Sequence, residues 1–234
     1  MSQIKVELQD TMGNDRSIAE AAWTSSLDYQ KKQSRTDADV ERVVKMLAEN
    51  KHSTPFESVI LRFWIKMPIA VDRQHMTHRI GSHNGMSGRY RTMPNEFLEI
   101  PDDIKTLRSK LEIWAGDDTG KEIEERYLEL CSKANDFYQD VSKALKDAEK
   151  KEAITNNEYK RLREFYRGVL PQHNMTERIT IFNLRSFANY QKLRNSPHAQ
   201  PEIQEVARQM LEQVKLKNIA PIAIEFLEKN GWNI

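Results

Sequence analysis

The sequence predicts a mixed α/β (α+β) fold, a central twisted sheet flanked by helices and carrying a long helical excursion. Three observations predict it. Apolar and polar residues alternate, the period of a half-buried strand, over residues 4–8, 59–67 and 176–182. Segments between these alternations space their apolar residues as helices do. From Asp102 to about Tyr166 the composition turns Lys/Glu-rich and helical. At 234 residues with eight glycines and eight prolines, the chain is expected to form one domain, residues 1–234, around one core.

In chain order, Ile4, Val6 and Leu8 alternate with lysine and glutamate in the first strand. Asp15 is the expected cap of a helix carrying Ile18, Ala21 and Ala22, which gives way to the polar patch Thr24-Ser25-Ser26. Val40, Val43, Val44 and Leu47 space a second helix that begins near Asp37 or Asp39 and ends near Asn50. The clearest strand follows, with Val59, Leu61, Phe63, Ile65 and Met67 on one parity and Ser58, Arg62 and Lys66 on the other. Pro68 stops it and suits the first turn of a helix from Ile69 to about Arg79, which would set Gln74 and His78 one turn apart on one face. Within the excursion, Ile123, Tyr127, Leu130, Ala134, Phe137, Val141 and Ala144 alternate spacings of four and three, the seam of a helix packed lengthwise on a neighbour. The strand at Thr176 to Phe182 leads into a helix opened by Asn183 and reaching Arg194, with Arg185, Asn189 and Lys192 at helical intervals. Two amphipathic helices follow, one with Ile203, Val206, Met210 and Val214 and one with Ile222, Ile224 and Leu227, expected as core or subunit interface. No internal repeat and no low-complexity linker interrupts this order.

Composition excludes several classes. A formal net charge of +1, with 30% of residues charged and both signs mixed, carries no electrostatic footprint for nucleic acid or membrane. No apolar run approaches the roughly 18 residues a membrane helix needs, and Met1-Ser2-Gln3 lacks a signal-peptide core, so a cytoplasmic protein is expected. The lone Cys131 excludes an internal disulfide and any multi-cysteine zinc site, and it reads as a packing residue.

The chemistry concentrates at residues 74–90. This stretch holds His75, His78 and His83, Arg79 and Arg89, and Gly81, Gly85 and Gly88, with too few aliphatic side chains for a buried stripe. Its glycines let backbone N–H groups approach a ligand, and with Arg and Ser side chains nearby they suit an anion, most simply a phosphate. The histidines lack a carboxylate among them and the one-sided spacing of ligands, so no metal is expected. Two further blocks join Asn or His to Arg and hydroxyls: His52 to Glu57, and Asn183 to His198.

These residues carry a family resemblance. His78-Arg79, seven residues, then Ser87-Gly88-Arg89-Tyr90 resembles the Arg-His-Arg, seven residues, Ser motif of the flavin-dependent thymidylate synthases, the ThyX family. His52-x-Thr54-Pro55-Phe56-Glu57, Arg167-x-Val169-Leu170-Pro171, Asn183-x-Arg185-Ser186, Asn189, Arg194 and His198-Ala199-Gln200-x-Glu202-Ile203 follow in the family's order, covering essentially the whole chain. The resemblance implies a homotetramer with active sites shared between subunits, converting deoxyuridylate (dUMP) to thymidylate. In that reaction NADPH reduces bound FAD, methylenetetrahydrofolate supplies the carbon and the reduced flavin supplies the hydride. It implies that Ser25, His52, Thr54, Glu57, His78, Arg79, Asn84, Asn183, Arg185, Asn189 and His198 hold FAD. Gln74, Ser87, Gly88, Arg89, Arg167 and Arg194 would hold the nucleotide, with Arg194 and Ser87 the catalytic pair. Arg89, Arg167 and Ser87 are the donors a dianionic phosphate wants, and an arginine near the uracil carbonyls stabilises charge developing on the ring.

Three positions depart from the family pattern. Thr77 replaces the first arginine of the motif, Gly85 stands where an acidic residue is usual, and Ser58 stands where a histidine is usual. Arg73 or His75 is the candidate to supply the missing cation, and losing an acid at 85 together with a base at 77 leaves local charge unchanged. The departures leave two readings beside an active thymidylate synthase: the same scaffold acting on a different pyrimidine nucleotide, or a nucleotide-binding homologue without turnover.

Overall fold

Strands β1 (Lys5–Met12), β2 (Ile60–Pro68), β3 (Ser82–Gly85) and β4 (Met175–Asn183) form a four-stranded sheet in the order β1-β2-β4-β3. β1 pairs antiparallel with β2, Lys5 opposite Lys66, and β3 pairs antiparallel with β4, Ser82 opposite Ile181. The computed structural model describes residues 2–233. It has the mixed α+β architecture that the alternations indicate. The chain divides into two compact units.

The sheet unit comprises Ile4–Lys66, Val71–Gly85 and the chain from Glu177 onward. Val59, Leu61, Phe63 and Ile65 are each fully buried, so the predicted parity of β2 is the core face, where burying each such side chain contributes about 1.5–3 kcal/mol. Around the sheet lie α1 (Asp15–Trp23), the short α2 (Tyr29–Gln33), α3 (Asp37–Glu49), a 3-10 turn at Thr54–Ser58, α8 (Leu184–Arg194), α9 (Pro201–Leu216) and α10 (Pro221–Lys229). The last two are core helices here: Ile203, Val206, Met210, Val214 and Leu227 are inaccessible to solvent. Asp15 does not cap α1. Asn14 does so, in a reciprocal capping box with Ser17. The Asp15 carboxylate instead accepts from the N–H groups of Ile222 (3.1 Å) and Ala223 (2.8 Å), the orphan donors at the start of α10, where a carboxylate is favoured.

The helical unit comprises the segment up to Gln3, Met67–Ala70 and Met86–Thr176. It contains α5 (Asp102–Ala115), α6 (Thr119–Lys150) and α7 (Asn156–Tyr166), so the excursion is helical as expected. The inward stripe of α6 is not the predicted seam. Cys131, Asn135, Tyr138 and Ser142 are buried, whereas Ile123, Leu130 and Phe137 are exposed. Tyr138 sets that register: its ring packs with Met93 and Leu170, and its hydroxyl accepts from the Met93 N–H at 3.2 Å. Among the described residues no helix is long and apolar enough to cross a membrane.

Helix α4 runs Ile69–His75, shorter than the expected span to Arg79, so Gln74 and His78 do not share a helix face. The Thr77 hydroxyl donates to the Gln74 carbonyl at 2.7 Å, while the Thr77 and His78 N–H groups bond three residues back, to Gln74 and His75. That tightening to three-residue bonds closes the helix. β3, four residues without an apolar side chain, was not foreseen.

Candidate active site

Helix α8 builds one wall of a cavity of about 580 Å³ within the sheet unit. Asn183 caps the helix, its side chain accepting from the Ser186 N–H at 2.8 Å, and the turns that follow present Arg185, Ser186, Asn189, Lys192 and Arg194 to the cavity. The opposite lining brings Glu57, Thr77, His78 and Arg79, with Trp232 at one side. Four cations, Arg79, Arg185, Lys192 and Arg194, thus face one carboxylate, and Glu57 is already engaged by Arg185 at 2.6 Å. Among the described residues no carboxylate pairs with the other three. Ser186 lines the same space, and its Oγ is buried without a hydrogen-bond partner. A cavity of this size with unpaired cations and an orphan hydroxyl is suited to an anionic ligand.

His78 is neutral here. Partial burial first, then the charge of Arg194, lower its pKa to about 4. Arg194 Nε donates to His78 Nε2 at 2.8 Å, so the imidazole carries its proton on Nδ1. Arg194 Nη2 donates to the Thr77 hydroxyl at 3.2 Å.

Behind His78 runs a chain of hydrogen bonds whose directions follow from one carbonyl. His83 Nε2 must donate to the His78 carbonyl (3.0 Å), so His83 Nδ1 accepts from the Thr180 hydroxyl (3.2 Å). Thr180 Oγ1 then accepts from His75 Nε2 (2.9 Å), and His75 Nδ1 accepts from the Tyr190 hydroxyl (2.9 Å). Every donor finds an acceptor, which lets an imidazole sit wholly inside the core. Burial lowers the His75 pKa well below its usual value and raises that of Tyr190, so both stay neutral. His75, one of the two candidates in the sequence, therefore cannot supply the cation missing at Thr77. Arg73 is exposed and does not line the cavity. The Arg194 guanidinium lies against Thr77 instead.

Gly85 has a structural reason. A Cβ there would lie 2.8 Å from Nη2 of Arg178, which is buried and holds Asp72 through a two-point ion pair, Nη2 to Oδ2 at 2.7 Å. Arg178 takes up the room a side chain at 85 would need. Its charge is balanced by Asp72, so the expected cancellation between positions 77 and 85 is not how the local charge is kept.

Other predicted residues lie elsewhere. Ser25 is exposed and its hydroxyl donates to the Ala22 carbonyl at 3.0 Å, closing α1. His52, Thr54, Asn84 and His198 are exposed and do not line the cavity. Gln74 donates to Gln200 at 2.5 Å. Ser87, Gly88, Arg89 and Arg167 belong to the helical unit. There the Ser87 carbonyl accepts from the N–H groups of Tyr90 and Arg91, each at 3.1 Å, forming a tight turn. A Cβ on Gly88 would come within 3.0 Å of Arg167 Cδ, and Arg89 pairs with Glu164 of α7. Arg163 supports the same loop, bonding Tyr159 Oη (2.9 Å) and Thr92 Oγ1 (3.4 Å). Sequence reasoning missed Arg163 and Glu164, although Arg163 and Arg167 stand one helical turn apart. It also missed Trp232, for which an isolated aromatic gave no signal.

The helical unit carries a Ser-Gly-Arg turn beside Arg167, and the sheet unit a cationic cavity beside a neutral histidine. Such cationic features on a mixed α/β scaffold are suited to anionic ligands. The chain matches the Thymidylate synthase complementing protein family over residues 7–222. It is 33% identical over 213 residues to the flavin-dependent thymidylate synthase of Rickettsia bellii, covering 90% of this chain and 71% of that protein. It is also 33% identical over 228 residues to that of Thermosipho melanesiensis, covering 97% and 87%. A UMP/dUMP methylase, PolB of Streptomyces cacaoi, solved with 5-Br dUMP, shares the fold with a TM-score of 0.76 at 23% identity, over 99% of this chain and 97% of that one. The chain belongs to the flavin-dependent thymidylate synthase family, and it is an enzyme of the methyltransferase class.

Proposed function

We propose that the protein converts dUMP to thymidylate, with FAD held in the cationic cavity, NADPH as reductant and methylenetetrahydrofolate as carbon donor. The observation that carries this reading is the donor set of the cavity: Arg79, Lys192 and Arg194 without carboxylate partners. Those groups fit the pyrophosphate and ring edges of a flavin dinucleotide. Arg79, Arg185, Lys192 and Asn189 would hold FAD, together with Glu57, which orients Arg185. Flavin held there and reduced by NADPH would supply the hydride for the methyl group.

Ser25, His52, Thr54, Asn84 and His198 are exposed outside the cavity, and in the homotetramer that the family resemblance implies they would serve the site of a second subunit. Asn183 spends its side-chain oxygen on the α8 cap and retains its amide N–H groups for a ligand. Ser87, Gly88, Arg89 and Arg167, all of the helical unit, are the donors the family resemblance implies for a nucleotide phosphate. Arg194, polarised against a neutral His78, meets the pyrimidine carbonyls and stabilises charge that develops on the ring. Gln74 contributes to the same ligand.

Purified protein is expected to take up FAD, and to form thymidylate from dUMP when NADPH and methylenetetrahydrofolate are present. Colourless protein that refuses added FAD, or flavoprotein that leaves dUMP unchanged, would refute the reading.

A further inference from the structure

Arg194 leaves α8 with its guanidinium fixed at two points. Nε–H is taken by His78 Nε2 at 2.8 Å, and one Nη2 hydrogen by Thr77 Oγ1 at 3.2 Å. Of the five N–H donors of a guanidinium, three then remain without a protein partner among the described residues. Thr77 is itself fixed, because its hydroxyl proton is spent on the Gln74 carbonyl at 2.7 Å. Its oxygen can therefore only accept toward the cavity. His78 is held from behind by the bond from His83 to its carbonyl and by the Tyr190 ring, whose centroid lies 4.7 Å from its own. The two acceptors meeting Arg194 are neutral, so they orient the cation without neutralising it. A carboxylate at either place would quench its charge, and an arginine at 77 would set a like charge beside it.

We propose that Thr77 is a positioning residue for the methylation reaction: its hydroxyl fixes the rotation of the Arg194 guanidinium so that the free donors meet the pyrimidine nucleotide. The threonine at this place is then a working part of the site, built with the helix end it closes. The inference rests on the reading of the cavity as the flavin and nucleotide site.

The test compares wild-type holoenzyme with Thr77→Val, Thr77→Ser and Thr77→Arg, measuring dUMP affinity by titration and the single-turnover rate of reduced-flavin oxidation at saturating dUMP and methylenetetrahydrofolate. Removing a hydrogen bond to a charged group is expected to slow oxidation roughly ten- to hundredfold in Thr77→Val. Its dUMP affinity should change much less, because an interaction that strengthens in the transition state appears mainly in the rate. Thr77→Ser keeps the hydroxyl and should stay within about threefold of wild type in rate. Thr77→Arg should be slowed at least as much as the valine variant. A serine variant as slow as the valine one, a valine variant with wild-type rate, or an arginine variant as fast as wild type would each overturn the proposal. Wild-type protein that fails to bind FAD or to methylate dUMP would instead overturn the underlying reading of the site.

Discussion

Thr180→Val tests the hydrogen-bonded chain behind the cavity. Valine has nearly the shape of threonine, so the substitution opens no cavity at a fully buried position of β4 and removes only a hydroxyl. Two partners are stranded. His75 Nε2–H, 2.9 Å from the lost oxygen, is left inside the core without an acceptor, and His83 Nδ1 loses its donor at 3.2 Å. Shifting the His75 proton to the other nitrogen gives no relief, since the Tyr190 hydroxyl would then have to accept and find a new home for its own proton. A buried unsatisfied donor costs about 1–3 kcal/mol, and the half-buried His83 adds about 0.5–1, so a loss of about 1.5–4 kcal/mol is expected. Guanidinium denaturation followed by circular dichroism measures it. Thr180→Ser is the control: it keeps both bonds and should lose only the burial of one methyl, about 1 kcal/mol. A valine variant within about 0.5 kcal/mol of wild type, or a serine variant as unstable as the valine one, would refute the bond directions assigned to this chain.

Asp72→Asn leaves the Arg178 guanidinium buried without its counter-charge and should cost about 3–5 kcal/mol, while Asp72→Leu combined with Arg178→Met should cost less than either single change; strictly additive losses would show that the pair is not coupled. His78 has a folded pKa of about 4, below the unfolded value near 6.5, so the unfolded state binds more protons between these values. Stability is therefore complete above about pH 6.5 and falls as pH drops toward 4; the shift would convert to about 3 kcal/mol, discounted to about 1–2 because the ring is only partly buried, with buried His75 adding in the same direction. Denaturation midpoints that stay flat over that window would contradict it. Cys131→Ala, at a buried position of α6, should cost about 1 kcal/mol and leave thymidylate formation intact, and loss of turnover by a folded variant would assign the thiol a chemical role. Arg167→Ala should weaken dUMP far more than deoxyuridine, which has no phosphate to lose, and an equal loss for both would remove the phosphate role.

Strands β1, β2 and β4 and the cavity helix were legible because their signals are local. Five same-parity apolar residues announce β2 whatever packs against it, and Asn183 placed three residues before Ser186 announces the start of α8. What escaped depends on partners far along the chain. β3 offers Ser-His-Asn-Gly, with no β-branched or aliphatic residue, and is a strand because β4 pairs with it and because Thr180 and the His78 carbonyl fix His83. The helix at Ile69 ends early because a threonine hydroxyl takes a carbonyl, an effect periodicity does not register. On α6 the apolar residues trace a seam, yet the buried stripe is set by Tyr138 and its bond to Met93, one position away from Phe137. The site residues were recognisable as a set, but only the folded chain separates those lining the cavity, such as Glu57, His78 and Arg194, from those outside it, such as Ser25 and His52.

The same contrast explains why the cavity is chemically special. Carboxylates are plentiful, 35 against 36 lysines and arginines, and elsewhere they find the cations: Asp72 holds Arg178, Glu124 holds Arg108, Glu205 and Glu212 hold Arg208. At the cavity only Glu57 is present, and it meets Arg185, the cation at the start of α8. Arg79, Lys192 and Arg194 are left facing the same space, where their mutual repulsion opposes folding and nothing in the described chain offsets it. Neutral acceptors, His78 and Thr77 for Arg194 and Asn233 for Lys192, orient two of these cations while leaving their charge available. A carboxylate in those positions would give a more stable protein with a neutralised cavity. Keeping the partners neutral transfers the stabilisation to the moment an anion arrives, which is the arrangement a phosphate-bearing cofactor and a developing negative charge both require.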